Sequence, residues 1–277
     1  MQSRFVLLPR IAAALLVFPG LAGTVPAQAP QESPAPPVIQ IGVEAVRAGR
    51  GAQHTALEQR WAAAFRNANV AAYWLGTTTV TGPNEFWWFA PLESVAALEA
   101  QDKAVESAGL TSTSDLLSDA DAANVENTRS MLARFRPDLS RPGGDAVPRS
   151  RYFEMLIWRI RPGHENKFEE GAKLYSSLAQ EAGASGVNWV TYQVFSGMPG
   201  PTFITFSTLR SLSELDPGPD MAAMQKVMTP ARIKQFNDLS SAGFLTITSM
   251  ILRFEPKMSY MPADFMAQDP EFWNVRP

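Results

Sequence analysis

The sequence predicts an α+β fold of two tandem βαββαβ repeats whose antiparallel sheets pack face to face as an intrachain α/β barrel. Three observations carry this. The segment "SMLARFRPDLS" (residues 130–140) returns 119 residues later as "SMILRFEPKMS" (residues 249–259), with six of eleven positions identical and no gap. Upstream, "VIQIGVEAV" lies on "YFEMLIWRI", and "VRAGRGAQHTALEQRW" on "IRPGHENKFEEGAKLY", each pair at an offset of 114. Finally, both phases of several strands are apolar: Phe86 and Trp88 alternate with Trp87 and Phe89, and Trp189 and Phe195 alternate with Val190, Tyr192 and Val194. An antiparallel sheet with one wet face alternates apolar and polar residues. Here helices cover one face of each sheet and the other repeat covers the second, so the chain acts as its own dimer.

Each copy reads as strand, helix, strand, hairpin, strand, helix, strand. The first strands, 38–46 and 152–160, end in Gly-containing turns. In the helix that follows, His54, Leu57, Trp61, Ala64, Phe65 and Ala68 share one face, as do Phe168, Gly171, Tyr175, Leu178, Ala179 and Ala182 in copy two. Trp74 then matches Trp189 at an offset of 115, and Phe86 and Phe89 match Phe203 and Phe206 at 117, the drift being taken up in loops such as "SGMPGP". The second helix is read from Met221, Met224, Val227 and Met228 in copy two and from an amphipathic 95–105 in copy one, whereas "TSTSDLLSDADAAN" cannot be phased. The repeats span 38–140 and 152–259, the linker 141–151 carries two prolines and two glycines, and a tail of 260–277 has Phe265, Phe272 and Trp273 spaced to pack on the barrel or plug its mouth.

Residues 1–27 read as a signal peptide, with Arg4 and Arg10 ahead of an apolar run, a Pro19-Gly20 break and small residues before cleavage at Ala27 or Ala29. Residues 28–37 form a Pro-rich linker. The expectation is an exported, soluble protein, periplasmic or secreted, with no membrane segment after cleavage. Removing two arginines and no acid leaves 22 basic against 27 acidic residues, 22 minus 27 or −5, which offers nothing to nucleic acid. With no cysteine there is neither a disulfide nor a thiolate metal site.

Candidate site residues follow from polar groups inside strands, which need partners when buried. The phase holding Ile39, Ile41 and Val43, or Phe153, Met155 and Ile157, is expected to face the helices. That would turn Gln40, Glu44, Glu154 and Trp158 into the barrel. Arg134 and Arg253 are the repeated pair on the last strands, and Glu154 and Arg253 could meet, either as a catalytic base with its orienter or as a structural ion pair. Trp74, Trp88, Trp158 and Trp189 would wall a cavity for a small hydrophobic or aromatic ligand, with Gln40, Glu154 and Tyr192 as polar fixings, or would simply fill the interior. Of the two histidines, His54 takes the buried slot of Phe168 and His164 sits in an exposed first helical turn. No H-x-x-x-H or carboxylate-flanked spacing, nucleophile elbow, phosphate loop or dinucleotide fingerprint is read in the sequence, so no metal and no cofactor are expected.

The stretch "YFEMLIWRIRPGHENKFEE", a strand ending in Arg161-Pro162-Gly163 with an aromatic at Phe168, resembles the ferredoxin-like dimeric α/β-barrel superfamily, and within it NIPSNAP-like and antibiotic-biosynthesis-monooxygenase-like domains. The resemblance covers most of residues 38–259. Copy one departs from it, with Ala48 in place of the proline and His54 in place of the aromatic. The resemblance implies a barrel that is a binding protein, a cofactor-independent monooxygenase acting on an aromatic substrate, or a haem protein with His54 as axial ligand. The first of these is the principal expectation, with activity left open. If the closure is right, residues 152–259 expressed alone should dimerise or aggregate.

Overall fold

The computed structural model describes residues 35–143 and 147–274. The expected signal peptide and most of the Pro-rich linker lie outside the described residues. Repeat one contains β1 (Val38–Val46), α1 (Gly51–Asn67), β2 (Leu75–Thr79), β3 (Glu85–Leu92), α2 (Ala97–Ser107), α3 (Thr111–Asp121) and β4 (Val125–Phe135). Repeat two contains β5 (Tyr152–Ile160), α4 (Glu165–Glu181), β6 (Val190–Ser196), β7 (Thr202–Leu209), α5 (Pro219–Val227), α6 (Pro230–Gly243) and β8 (Phe244–Phe254), and the tail adds the short α7 (Ala263–Met266) and α8 (Pro270–Trp273).

Within each repeat the strands pair antiparallel, and the two sheets also join at their edges, β2 on β8 and β4 on β6. The result is one closed barrel in the order β1-β3-β2-β8-β5-β7-β6-β4. The repeated sequence is the device that makes these edges. The Ser259 hydroxyl accepts from the Gly76 N–H and the Ser140 hydroxyl from the Thr191 N–H, both at 2.9 Å. The Trp74 indole donates to the Met258 carbonyl at 2.9 Å and the Trp189 indole to the Leu139 carbonyl at 2.8 Å. Each motif therefore anchors the tryptophan strand of the other repeat. Ser259→Ala or Ser140→Ala leaves a strand N–H without its acceptor and should each cost about 1–3 kcal/mol in denaturant unfolding, adding in the double variant.

The segment 111–121 that resisted phasing is α3, and its buried face consists of Ser114, Leu117 and Asp121. Two polar residues out of three hid the periodicity.

The face assignment is corrected. Ile39, Ile41, Val43, Trp87, Phe89, Phe153, Met155, Ile157, Ile204, Phe206, Leu252 and Phe254 form one cluster drawn from both sheets, which is the barrel lumen. The opposite phase packs under the helices: Val38, Ala90 and Leu92 against Ala62 and Phe65, and Phe203 against Phe168. An eight-stranded barrel has an interior just wide enough for side chains to fill. The phase that never meets a helix end or a loop is therefore the more strictly apolar one. Phe153 contacts Phe89, Phe206 and Phe254 at ring separations of 5.8, 5.3 and 4.7 Å. The tail closes one mouth: Trp273 is buried in the same cluster, packs on Phe254 and Phe265, and donates its indole N–H to the Pro148 carbonyl at 2.6 Å.

Candidate metal centre

On the helix-facing row of β1 stand Gln40, Gly42 and Glu44. Gly42 is a notch: a Cβ there would lie 1.9 Å from Cε2 of Trp88, whose indole occupies the space. Beyond it, Glu44 meets His54 and Glu58, one turn apart on α1, and Asp121 at the end of α3. These four side chains each offer a ligand atom within 4.8 Å of the others. All are buried, with residue exposures of 4% for Glu44, 2% for His54, 6% for Glu58 and 0% for Asp121.

The His54 Nδ1 lies 2.9 Å from Asp121 Oδ2 and 3.8 Å from Glu44 Oε2. The other Asp121 oxygen accepts from the Asn124 amide at 2.9 Å. His54 Nε2 is buried without a hydrogen-bond partner, and the ring meets Phe86 edge-on at 5.4 Å. Three carboxylates and one imidazole thus converge away from water, where an ionised group needs a partner.

The second repeat shows what this place looks like when it serves packing alone. At the offset of 114, Glu44, His54 and Glu58 correspond to Trp158, Phe168 and Ala172. Those residues pack together with Phe203 and Phe244 in an apolar cluster. A core position filled with an aromatic in one copy carries charge in the other, against the energetics of burial.

The structure places the other sequence candidates on the helix side or at the barrel seams. Gln40 is buried under the helices with Oε1 unbonded. Trp74 packs on Phe65 and Tyr260, Trp158 donates to Thr205 Oγ1, and Trp189 packs on Tyr175. Tyr192 alone of the polar fixings is in the lumen, where burial pushes its hydroxyl up and its O–H donates to the Pro36 carbonyl at 3.1 Å. Glu154 and Arg253 share a face but do not pair: Tyr152 stands opposite Arg253, and the guanidinium bonds Glu255 Oε1 at 2.8 and 3.0 Å. His164 is exposed at the start of α4.

Burial raises the Glu154 carboxyl above the usual carboxylate range, and burial, with the Glu154 charge added to it, raises the Tyr175 hydroxyl. A folded-state value above the unfolded one means that the contribution to stability is present at low pH and lost as pH rises through the folded value. Glu154→Gln should therefore be more stable than the native chain at neutral pH, with the difference vanishing in acid, as urea titrations across pH would show.

The sequence reading missed the four-residue centre because it looked for a linear ligand spacing, whereas the donors come from β1, α1 and α3. The trace it left was His54 and Glu58, four residues apart on one helix face.

No protein-family model matches the chain, and no curated protein matches it in sequence. Solved structures do resemble it. An anthrone oxidase-like protein superposes with a TM-score of 0.51 at 13% identity, over 79% of this chain and 91% of its own. A mutant chlorite dismutase from Candidatus Nitrospira defluvii in complex with cyanide gives 0.47 at 9% identity, over 80% and 92%. A dye-decolorizing peroxidase from Bacteroides thetaiotaomicron gives 0.43 at 7%, over 80% and 94%. At these identities the likeness is one of fold. The fold is a ferredoxin-like α/β barrel whose two repeats lie in a single polypeptide.

Proposed function

We propose that this protein is an exported metal-binding barrel in which Glu44, His54, Glu58 and Asp121 hold a divalent cation. The carrying observation is the meeting of three carboxylates and an imidazole within 4.8 Å in a buried site. One nitrogen and several oxygen donors suit Zn²⁺, Mn²⁺ or Fe²⁺ better than a soft ion that prefers thiolate or a hard one that prefers oxygen alone. His54 Nδ1 is the nitrogen that faces the carboxylates, and the Asn124 amide on the other Asp121 oxygen is the kind of outer partner that orients a metal-ligating group. The barrel is the scaffold: a hydrophobic ligand entering its lumen has to displace packed rings such as Phe153 and Trp273. Among the described residues no helix is long and apolar enough to cross a membrane, and export rests on the N-terminal sequence.

The test is to strip the full chain with a chelator and titrate Zn²⁺, Mn²⁺ and anaerobic Fe²⁺ by calorimetry. One ion bound per chain is expected, with affinity falling as pH drops because carboxylate and imidazole must be deprotonated to bind. Loss of binding in His54→Ala should accompany it, and no binding of any of the three ions would refute the reading.

A second reading has one observation in its favour. With Nδ1 on Asp121, the free Nε2 of His54 is the nitrogen an axial haem ligand would use. The surrounding carboxylates suit a small cation better than the apolar face of a porphyrin. Native mass spectrometry of the untreated protein separates the two, since a bound metal and a bound haem differ widely in mass.

A further inference from the structure

The outer edge of β8 is open over half its length. β8 pairs with β5 from Phe244 to Arg253, but on its other side β2 meets only Leu252, Arg253 and Phe254. The β2–β3 turn extends this contact by one residue, the Val80 N–H donating to the Ile251 carbonyl at 2.7 Å and the Ile251 N–H to Thr81 Oγ1 at 3.0 Å. Strand backbone groups alternate in direction, so those of Ser249 and Ile247 point the same way as those of Ile251, and among the described residues no strand meets them. Residues 245–249 are all exposed, Leu245 at 46% and Ile247 at 49%.

The first repeat has a matching opening, because β6 reaches only Leu132 to Phe135 of β4. There the edge is charged. Glu126 and Arg129 stand where the second repeat has Leu245 and Thr248, and Arg129 is held by Glu85 at 2.8 Å. Charges on an open edge keep it from pairing with foreign strands. The β8 run "FLTITSMIL" (residues 244–252) contains no charge, proline or glycine.

We propose that this edge of β8 docks a second copy of the chain, the two β8 strands pairing antiparallel about a twofold axis near Ile247. The surface continues an interface the molecule already uses: a few residues further along, the same edge joins the two repeats through β2. Pairing about Ile247 sets that residue against its own copy and Leu245 near Ser249, which brings no charges into opposition. Such an isologous contact needs one patch and closes on itself. The inference is independent of the metal centre.

Analytical ultracentrifugation of the full chain over a range of concentrations tests it, combined with amide exchange at high and low concentration. The expected result is a monomer–dimer equilibrium in which the amides of Ile247 and Ser249 become protected as the dimer forms. The double variant Leu245→Glu with Thr248→Arg, which copies the Glu126 and Arg129 pattern, should weaken the dimer by roughly tenfold or more while the Tm of the dilute protein is unchanged. Ile247→Lys should act in the same direction. A chain that stays monomeric at every concentration, a dimer indifferent to these variants, or open-ended growth beyond two copies would each overturn the proposal.

Discussion

Phe153→Ala is expected to cost about 3–5 kcal/mol of unfolding free energy, among the largest effects of any single substitution in this chain. Phe153 is buried in the lumen with three other phenylalanine rings around it, from β3, β7 and β8. Both repeats contribute to that contact set, so removing the ring opens a void that neither sheet can close without moving the other. Chemical denaturation should show the loss as a lower midpoint at constant slope. The void would be apolar, and an apolar void of this kind stays dry and takes up small apolar molecules. Benzene or a similar probe should therefore restore part of the lost stability in Phe153→Ala and have little effect on the native chain. Equal rescue of the native protein would show that its lumen has room for a ligand.

Glu58→Gln should lose most of the stability that a metal confers. In stripped protein the substitution keeps the size of the side chain and removes its charge, and its Tm against that of the native chain sets the baseline. With Zn²⁺ or Mn²⁺ at about 100 times the native dissociation constant, the native chain gains about 2.7 kcal/mol. For a chain of this size that is a rise of roughly 5–11 °C. Glu58→Gln should gain much less, because it offers a weaker oxygen donor. A gain confined to the native chain identifies a cation site. In a proton-sharing structural cluster the metal would move neither Tm.

Sequence and structure agree where the signal is a repeat. The Ser, Met, Arg, Phe and Pro shared by the two edge segments gave the duplication, and the apolar phases on both sides of β3 and β6 gave the covered faces. Which face was the lumen was not legible, because two apolar phases look alike until strand closure decides which one is sealed from solvent. Gln40, Glu44, Glu154 and Trp158 were turned inward for that reason and in fact lie towards the helices. The metal centre was illegible for a different reason. Its donors span residues 44 to 121 on three elements, and one of them sits on α3, whose buried face is mostly polar. His54 was noticed because it replaced an aromatic, and the full set needed the tertiary fold.

The crossed anchors have a consequence for the order in which the molecule can be made. The indole of Trp74 is satisfied by a carbonyl 184 residues later in the chain, and the N–H of Gly76 by a hydroxyl 183 residues later. Chain elongation from the N-terminus therefore completes every strand of the first repeat long before the groups that seal its edge exist. During that interval its lumen face stands open to water and to other chains, and no amount of local folding can cover it. Closing so many distant contacts at once is slow. The barrel is thus a fold whose first half cannot rest until its second half arrives, and a chaperone or a delay in folding fits that interval.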